Sequence, residues 1–305
     1  MLRTLRLTAV GFFILCGPSV GSVAMAQETA VVMLGTGTPN ADPDRSGPAV
    51  AVVRAGRSYL IDAGPGVVRR AAAAAALHAD SALQPRNLRT LFLTHLHSDH
   101  TVGLPDLILS AWTLERDVPL EVYGPPGTQA MVDHLLAAYA ADIRNRIDGL
   151  EPANPTGYQV RVHEITPGPI FEDGNVTVTA FAVPHGDWEV AFGYRFQSID
   201  RSIVISGDTR ASDAVVEACR GCDLLVHEVY SAERFRTRPP AWQAYHAKAH
   251  TSTTELADVA RRAAPKQLLL YHQLFWGTTD EGLMAEVRAA GFARGLASAI
   301  DLRRY

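Results

Sequence analysis

The chain is predicted to be an α/β protein in which two sheets pack face to face with helices outside, a four-layer αβ/βα sandwich. Three observations predict it. Short apolar runs bounded by turn residues alternate with longer helical patterns. The order of strands first and helices after occurs twice, as two similar halves would require. Single polar residues stand directly beyond several apolar runs, which is where α/β enzymes hold their chemistry.

In the first half, Ala30 to Leu34, Ala49 to Arg54 and Ser58 to Asp62 read as strands, and a helix runs from about Pro65 to His78. Its alanine run, Ala71 to Ala76, suits a helix packed closely on a sheet. A strand at 88–94 follows, then a helix near 104–115, a strand from Leu120 to Tyr123 and a helix from about Pro126 to Ala141. Residues 144–157, rich in Asn, Pro and Gly, read as a surface loop. The second half opens β-rich, with Gln159 to Ile165, Val176 to Val183, Val190 to Gln197 and Ser202 to Ser206. Helix 211–219, strand Leu224 to His227, helix 252–263, strand Gln267 to Tyr271 and helix 279–290 complete the chain.

Residues 1–26 combine Arg3 and Arg6, an apolar run from Leu7 to Leu15 and the small-x-small site Ala24-Met25-Ala26, the pattern of a secretory signal peptide. A lipoprotein reading through Cys16 fits less well, because Ile14 and Leu15 precede it where small residues are expected. The expected mature chain, 27–305, is long enough for one large domain or two small ones, and with no low-complexity linker to divide it reads as one domain, periplasmic or secreted, with no later stretch apolar enough for a bilayer. Cleavage removes two arginines and no acids, taking the formal charge from −4 to −6, which disfavours general nucleic-acid binding. Cys219 and Cys222, in Cys-Arg-Gly-Cys, are a local disulfide or two buried thiols; no second pair completes a four-cysteine zinc site. Oligomeric state is left open, a homodimer included.

The chemistry concentrates in Thr94-His95-Leu96-His97-Ser98-Asp99-His100, where an apolar run ends in three histidines and an aspartate. Imidazole and carboxylate are ligands for a borderline divalent cation such as zinc. His95 and His97, two apart, can point the same way from an extended segment, while Asp99 and His100 lie in the turn beyond, so the spacing allows two adjacent ions. His185, Asp208 and His272 each follow a further apolar run.

This ordered set resembles the ligands of the metallo-β-lactamase superfamily of dinuclear hydrolases, over nearly the whole mature chain. Leu34-Gly35-Thr36-Gly37-Thr38 and Tyr59-Leu60-Ile61-Asp62-Ala63-Gly64 share in the resemblance. It implies the metallo-β-lactamase fold and two divalent ions, zinc before manganese. By it, His95, His97 and His185 would hold one ion, Asp99, His100 and His272 the other, and Asp208 would bridge them. An aspartate at the bridging position, where β-lactamases have cysteine, argues against β-lactam hydrolysis.

His227-Glu228 and Ala249-His250-Thr251-Ser252 resemble motifs of the ribonuclease Z group. They imply His250 as a general acid or transition-state donor oriented by Glu228, a role that suits an imidazole beside a carboxylate. The long arm that grips tRNA in that group is missing between Phe192-Gly193-Tyr194-Arg195 and Ser206-Gly207-Asp208. The leader, with Gly35 to Asn40, Asp42 to Pro48 and Gly64 to Arg70, resembles the secreted arylsulfatases of this fold more closely. The expectation is therefore an exported hydrolase of small anionic aryl esters, an arylsulfatase with phosphodiesterase side activity, using hydroxide held between the ions. No specific nucleic acid or membrane partner is expected. The alternatives are a ribonuclease Z-like phosphodiesterase or nuclease, and a lactonase-type carbonyl hydrolase. Trp188, Trp242, Tyr245, Phe275 and Trp276 are candidates for an aryl-binding wall, and Arg234, Arg236 and Arg238, in what reads as a Pro-containing loop before His250, for attracting an anionic ester.

Overall fold

In the computed structural model, which describes residues 28–305, two sheets lie face to face. The expected signal peptide therefore lies outside the described residues. The first sheet begins with β1 (Ala30–Gly35), β2 (Ala49–Arg54) and β3 (Arg57–Ile61), an antiparallel meander. Helix α1 (Val67–His78) crosses to β4 (Thr90–Phe92); the one-turn helix α2 (Ser98–Thr101) and α3 (Leu104–Thr113) lead to β5 (Leu120–Gly124). Helices α4 (Thr128–Ala138) and α5 (Ala140–Asp148) precede β6 (Val160–Glu164), and strands β3 to β6 run parallel.

The second sheet starts with β7 (Gly168–Glu172), β8 (Thr177–Ala182), β9 (Phe192–Gln197) and β10 (Ser202–Ile205), each antiparallel to the next. Helix α6 (Asp213–Cys219) returns the chain to β11 (Leu224–Tyr230). Helices α7 (Ala232–Phe235), α8 (Pro240–Ala249) and α9 (Thr253–Ala263) then lead to β12 (Gln267–Leu274), and α10 (Asp280–Ala289) to β13 (Leu296–Ser298). Strands β10 to β13 are parallel. Among the described residues no helix is long and apolar enough to cross a membrane.

Three apolar layers follow from strand alternation. On β1, Val32 and Leu34 face α1 and α3, while Val31 and Met33 face the second sheet. On β11, Leu224 and Val226 join that inter-sheet layer, and Leu225 packs with α6, α9 and α10. The mid-layer is dominated by Tyr59, Phe92, Tyr194 and Phe196, all buried.

Several elements depart from the sequence expectation. The 144–157 loop begins only after α5, which has no buried residue and so shows little apolar periodicity. Strand β7, half-exposed and containing a proline, gave no strand signal. The proline-containing stretch before His250 is helical: Pro240 sits at the first helical position, where its missing N–H is not needed. Strand β12 runs to Leu274 with a shift in pairing at His272 rather than ending at Tyr271. Cys219 and Cys222 are joined by a disulfide just after α6.

Arg116 ties the helices of the first half to the sheet. Its guanidinium is fully buried and donates to the carbonyls of Leu88, Leu107, Ile108 and Gly157 at 2.8–3.2 Å. Burial lowers its pKa to about 10, so it remains charged at pH 7. Arg116→Met is expected to leave these carbonyls short of a donor and to lower stability by roughly 3 kcal/mol or more. An unchanged urea midpoint would refute this role.

Candidate metal centre

All nine expected site residues meet at one edge of the sandwich, carried by the segments after β4, β8 and β10, by β11 and β12 themselves and by the end of α8. Thr94 to His100 leave β4 and wind into α2, so His95 and His100 point inward and are fully buried. His185 follows β8, and Asp208 follows β10 after Gly207. At Gly207, φ is +60° and a Cβ would come 2.5 Å from the Phe192 carbonyl oxygen, so only glycine lets the chain turn there. His272 is the extra residue of a bulge opposite β11, with φ of +45°, which turns its ring out of the strand register. Such bulges re-aim side chains beside active sites.

Two sets of ligand atoms form, each within 4.8 Å: His95, His97 and His185; and Asp99, His100 and His272. Asp208 groups with His95 and His100 on one side and with His185 and His250 on the other, which puts its carboxylate between the sets. Its Oδ2 lies 3.4 Å from His100 Nε2 and 3.5 Å from His272 Nε2.

The rings are held from behind. His95 Nδ1 donates to Thr94 Oγ1 at 3.0 Å, His185 Nδ1 to the Ala249 carbonyl at 2.8 Å, and His100 Nδ1 to Asp62 Oδ2 at 2.7 Å. Each bond fixes a tautomer whose Nε2 lone pair faces the cluster. Asp62 also accepts from the Thr94 backbone N–H at 2.8 Å and from its hydroxyl, and takes up φ of +61° to do so. Sequence reading passed over Asp62 as a functional residue; its signal was a carboxylate closing an apolar strand, as for the ligands. Removing this support, as in Asp62→Ala, is expected to weaken metal affinity by roughly 10–100-fold. Equal zinc affinity in a chelator competition would argue against it.

The donor chemistry fits divalent cations. Ring nitrogens converge: His95 Nε2 and His185 Nε2 lie 3.0 and 3.1 Å from His97 Nδ1. His100 Nε2, Asp208 Oδ1 and His272 Nδ1 are buried with no hydrogen-bond partner. Burial pushes His95 well below the usual imidazole range and His97 to about 4, helped by neighbouring histidines. Burial acts the same way on His100 and His272, but the nearby carboxylates override it and raise both. Asp208 is held well below its usual range despite burial, by His272 and His100. Ionised aspartates among converging imidazoles suit a divalent cation, which on binding would displace the protons that the carboxylates favour on His100 and His272.

Trp188 adds a reporter. Its indole N–H donates to His97 Nε2 at 2.7 Å, which requires the His97 hydrogen to sit on Nδ1. Ligation through Nδ1 would move that hydrogen to Nε2 and break the bond. Zinc titration is therefore expected to change tryptophan fluorescence, and Trp188→Phe to remove the change; a signal that persists in the variant would contradict this.

His250, at the end of α8, reaches Glu228 Oε1 through Nδ1 at 3.1 Å. The Thr209 and Thr251 backbone N–H groups donate to the same oxygen at 3.0 and 3.2 Å. Burial, then Asp208, raise the Glu228 carboxyl well above its usual range, and burial lowers His250 to about 4. His227 points the other way along β11, its Nδ1 on the Glu228 carbonyl, and joins none of the ligand groups.

The cluster opens into a cavity of about 640 Å³ lined by Asp99, Asp208, His250 and His272 and by Arg238, Trp242, Tyr245, His246 and Trp276. Of the expected aryl wall, Trp242, Tyr245 and Trp276 are there. Trp188 lines a neighbouring cleft with His185, and Phe275 packs beneath Arg45. Arg234 and Arg236 do not line the cavity. His246 was missed: buried on α8, it carried no signal beyond its place four residues before His250, one helical turn away.

A β-lactamase superfamily domain model matches residues 57–273. The chain is 35% identical to a ribonuclease Z of Mycobacterium sp. (strain KMS) over 246 residues, 80% of this chain and 84% of the relative. Among solved structures, the metallo-β-lactamase fold protein YhfI from Bacillus subtilis is similar, with a TM-score of 0.70 and 16% identity over 91% of this chain and 98% of that one. Human tRNase Z, short form, gives a TM-score of 0.64 and 24% identity over 90% and 98%. The chain belongs to the β-lactamase superfamily and is a metal-dependent hydrolase of its ribonuclease Z-like branch.

Proposed function

We propose that the chain hydrolyses phosphodiesters, small ones first, at a site holding two divalent ions, zinc by its donors. One observation carries the reading: Asp208 stands between two three-residue ligand sets, and the His250–Glu228 pair opens onto the same cavity. His95, His97 and His185 would hold one ion and Asp99, His100 and His272 the other, with Asp208 shared. Ions held there supply Lewis-acid polarisation of the ester and a nucleophile at neutral pH. His250 has Nδ1 engaged by Glu228, so Nε2 is the nitrogen left to protonate a departing oxygen. Glu228 fixes the ring through that contact. The cavity walls exclude water from the leaving group and orient it.

The similarity to ribonuclease Z favours phosphodiesters over the aryl sulfates expected from the leader and loops. Metal-loaded protein should hydrolyse bis-p-nitrophenyl phosphate faster than p-nitrophenyl sulfate; the reverse order would restore the arylsulfatase reading. RNA cleavage is the second reading and has the relatives' name in its favour. Against it stand the formal charge of −4 and a short turn, Ser198–Arg201, between β9 and β10, where the tRNA-gripping arm is expected. A labelled tRNA precursor offered beside the diester separates the two.

Export of a mature 27–305 hydrolase is part of the proposal. The leader pattern supports it, as does the Cys219–Cys222 disulfide, a bond that persists in oxidising compartments. N-terminal sequencing of the mature protein should begin at Gln27.

A further inference from the structure

The outer end of the cavity is built unlike the ligand cluster. Moving outward from His250, the next ring is His246, its centroid 5.3 Å away, and then Trp276, 4.7 Å further. Trp242 stacks on His246 at 5.6 Å with planes 24° apart, yet is half exposed. These three rings make an aromatic wall that the core does not need. At its far end the Arg238 guanidinium sits over Trp276, Cζ 5.2 Å from the ring centroid. Among the described residues Arg238 pairs with no carboxylate, and its Nε is buried without an acceptor. A guanidinium so placed lacks the anion that such donors bind most strongly.

Arg238 stands two rings beyond His250, so an anion that reaches it is not the one held among the ligands. The geometry points to a leaving-group subsite for a planar aromatic ring that carries a second anionic group on the side away from the scissile ester. The ring stacks against Trp242 and Trp276, and Arg238 takes the far anion. The inference rests on the phosphodiesterase reading, since it places the leaving group of that reaction, and it deepens that reading by naming the leaving group's chemistry. A small aryl acid and a nucleotide both offer a ring with an anion, and the test separates them.

The full mature protein, both zinc-loaded and stripped with chelator, is titrated calorimetrically with phenol, 4-hydroxybenzoate and uridine 5′-monophosphate. 4-Hydroxybenzoate should bind about 10-fold or more tightly than phenol, because a charge-assisted hydrogen bond is added. The stripped protein should keep that preference, since the zinc ions take no part in it. Arg238→Met should erase it, Arg238→Lys restore part of it, and Trp242→Ala weaken both ring compounds alike. Whichever of the two anions binds more tightly, with loss in Arg238→Met, names the source. Equal affinity for phenol and 4-hydroxybenzoate, no binding by either, or a preference that survives Arg238→Met would each overturn the subsite. Binding to the stripped protein is independent of turnover, so failure of diester hydrolysis would end the phosphodiesterase reading and leave this result standing on its own.

Discussion

Asp208→Ala is expected to lower diester hydrolysis by about 10³-fold or more and to release metal. Two causes act together. The carboxylate is fully buried among His100, His272 and His250, and it is the one group placed to serve both ligand sets. Without it, cations would face one another with less negative charge between them, and loss of a preorganised electrostatic group at a dry site alone costs about 10²–10³-fold. Asp208→Asn tests charge separately from shape: it keeps the volume and should still lose most of the activity. A variant with full metal content and wild-type rate would remove Asp208 from the centre.

His250→Ala is the second large effect, and it separates chemistry from metal binding. In the proposed assignment His250 is not a ligand, so metal content should stay near that of the wild type. The rate should fall by about 10²–10⁴-fold, the usual contribution of a positioned acid. The loss should be greatest for diesters with poor leaving groups, which need the proton, and smallest for p-nitrophenolate, which hardly does. Glu228→Gln should show the same leaving-group dependence in weaker form, since it keeps the volume beside Nδ1 but loses the carboxyl that holds the ring. An equal loss across leaving groups would reassign His250 to substrate binding or packing.

Much of this centre was legible before the fold was known, because polar residues that end apolar runs are conspicuous. His95, His97, Asp99 and His100 sit in one short segment, while His185, Asp208 and His272 each stand alone after a strand. What the sequence concealed were residues whose task is set by three-dimensional neighbours. Asp62 looks like any strand-terminal turn residue until Thr94 and His100 are seen donating to it. His246 and Arg238 lay in a stretch read as a loop, because Pro239-Pro240 signals a break as readily as a helix start. The three expected arginines were equivalent in sequence, and only the start of α8 brings Arg238 over Trp276 and leaves Arg234 and Arg236 outside the cavity. Strand β7 and helix α5 were missed for a simpler reason: neither buries enough apolar surface to impose a period.

The central claim is that seven side chains carried by four strands, β4, β8, β10 and β12, form one dinuclear centre. Elemental analysis of the purified, dialysed protein tests it most directly. The account predicts two divalent ions per chain, falling well below two in Asp208→Ala; a protein that is fully active with one ion or none would contradict it.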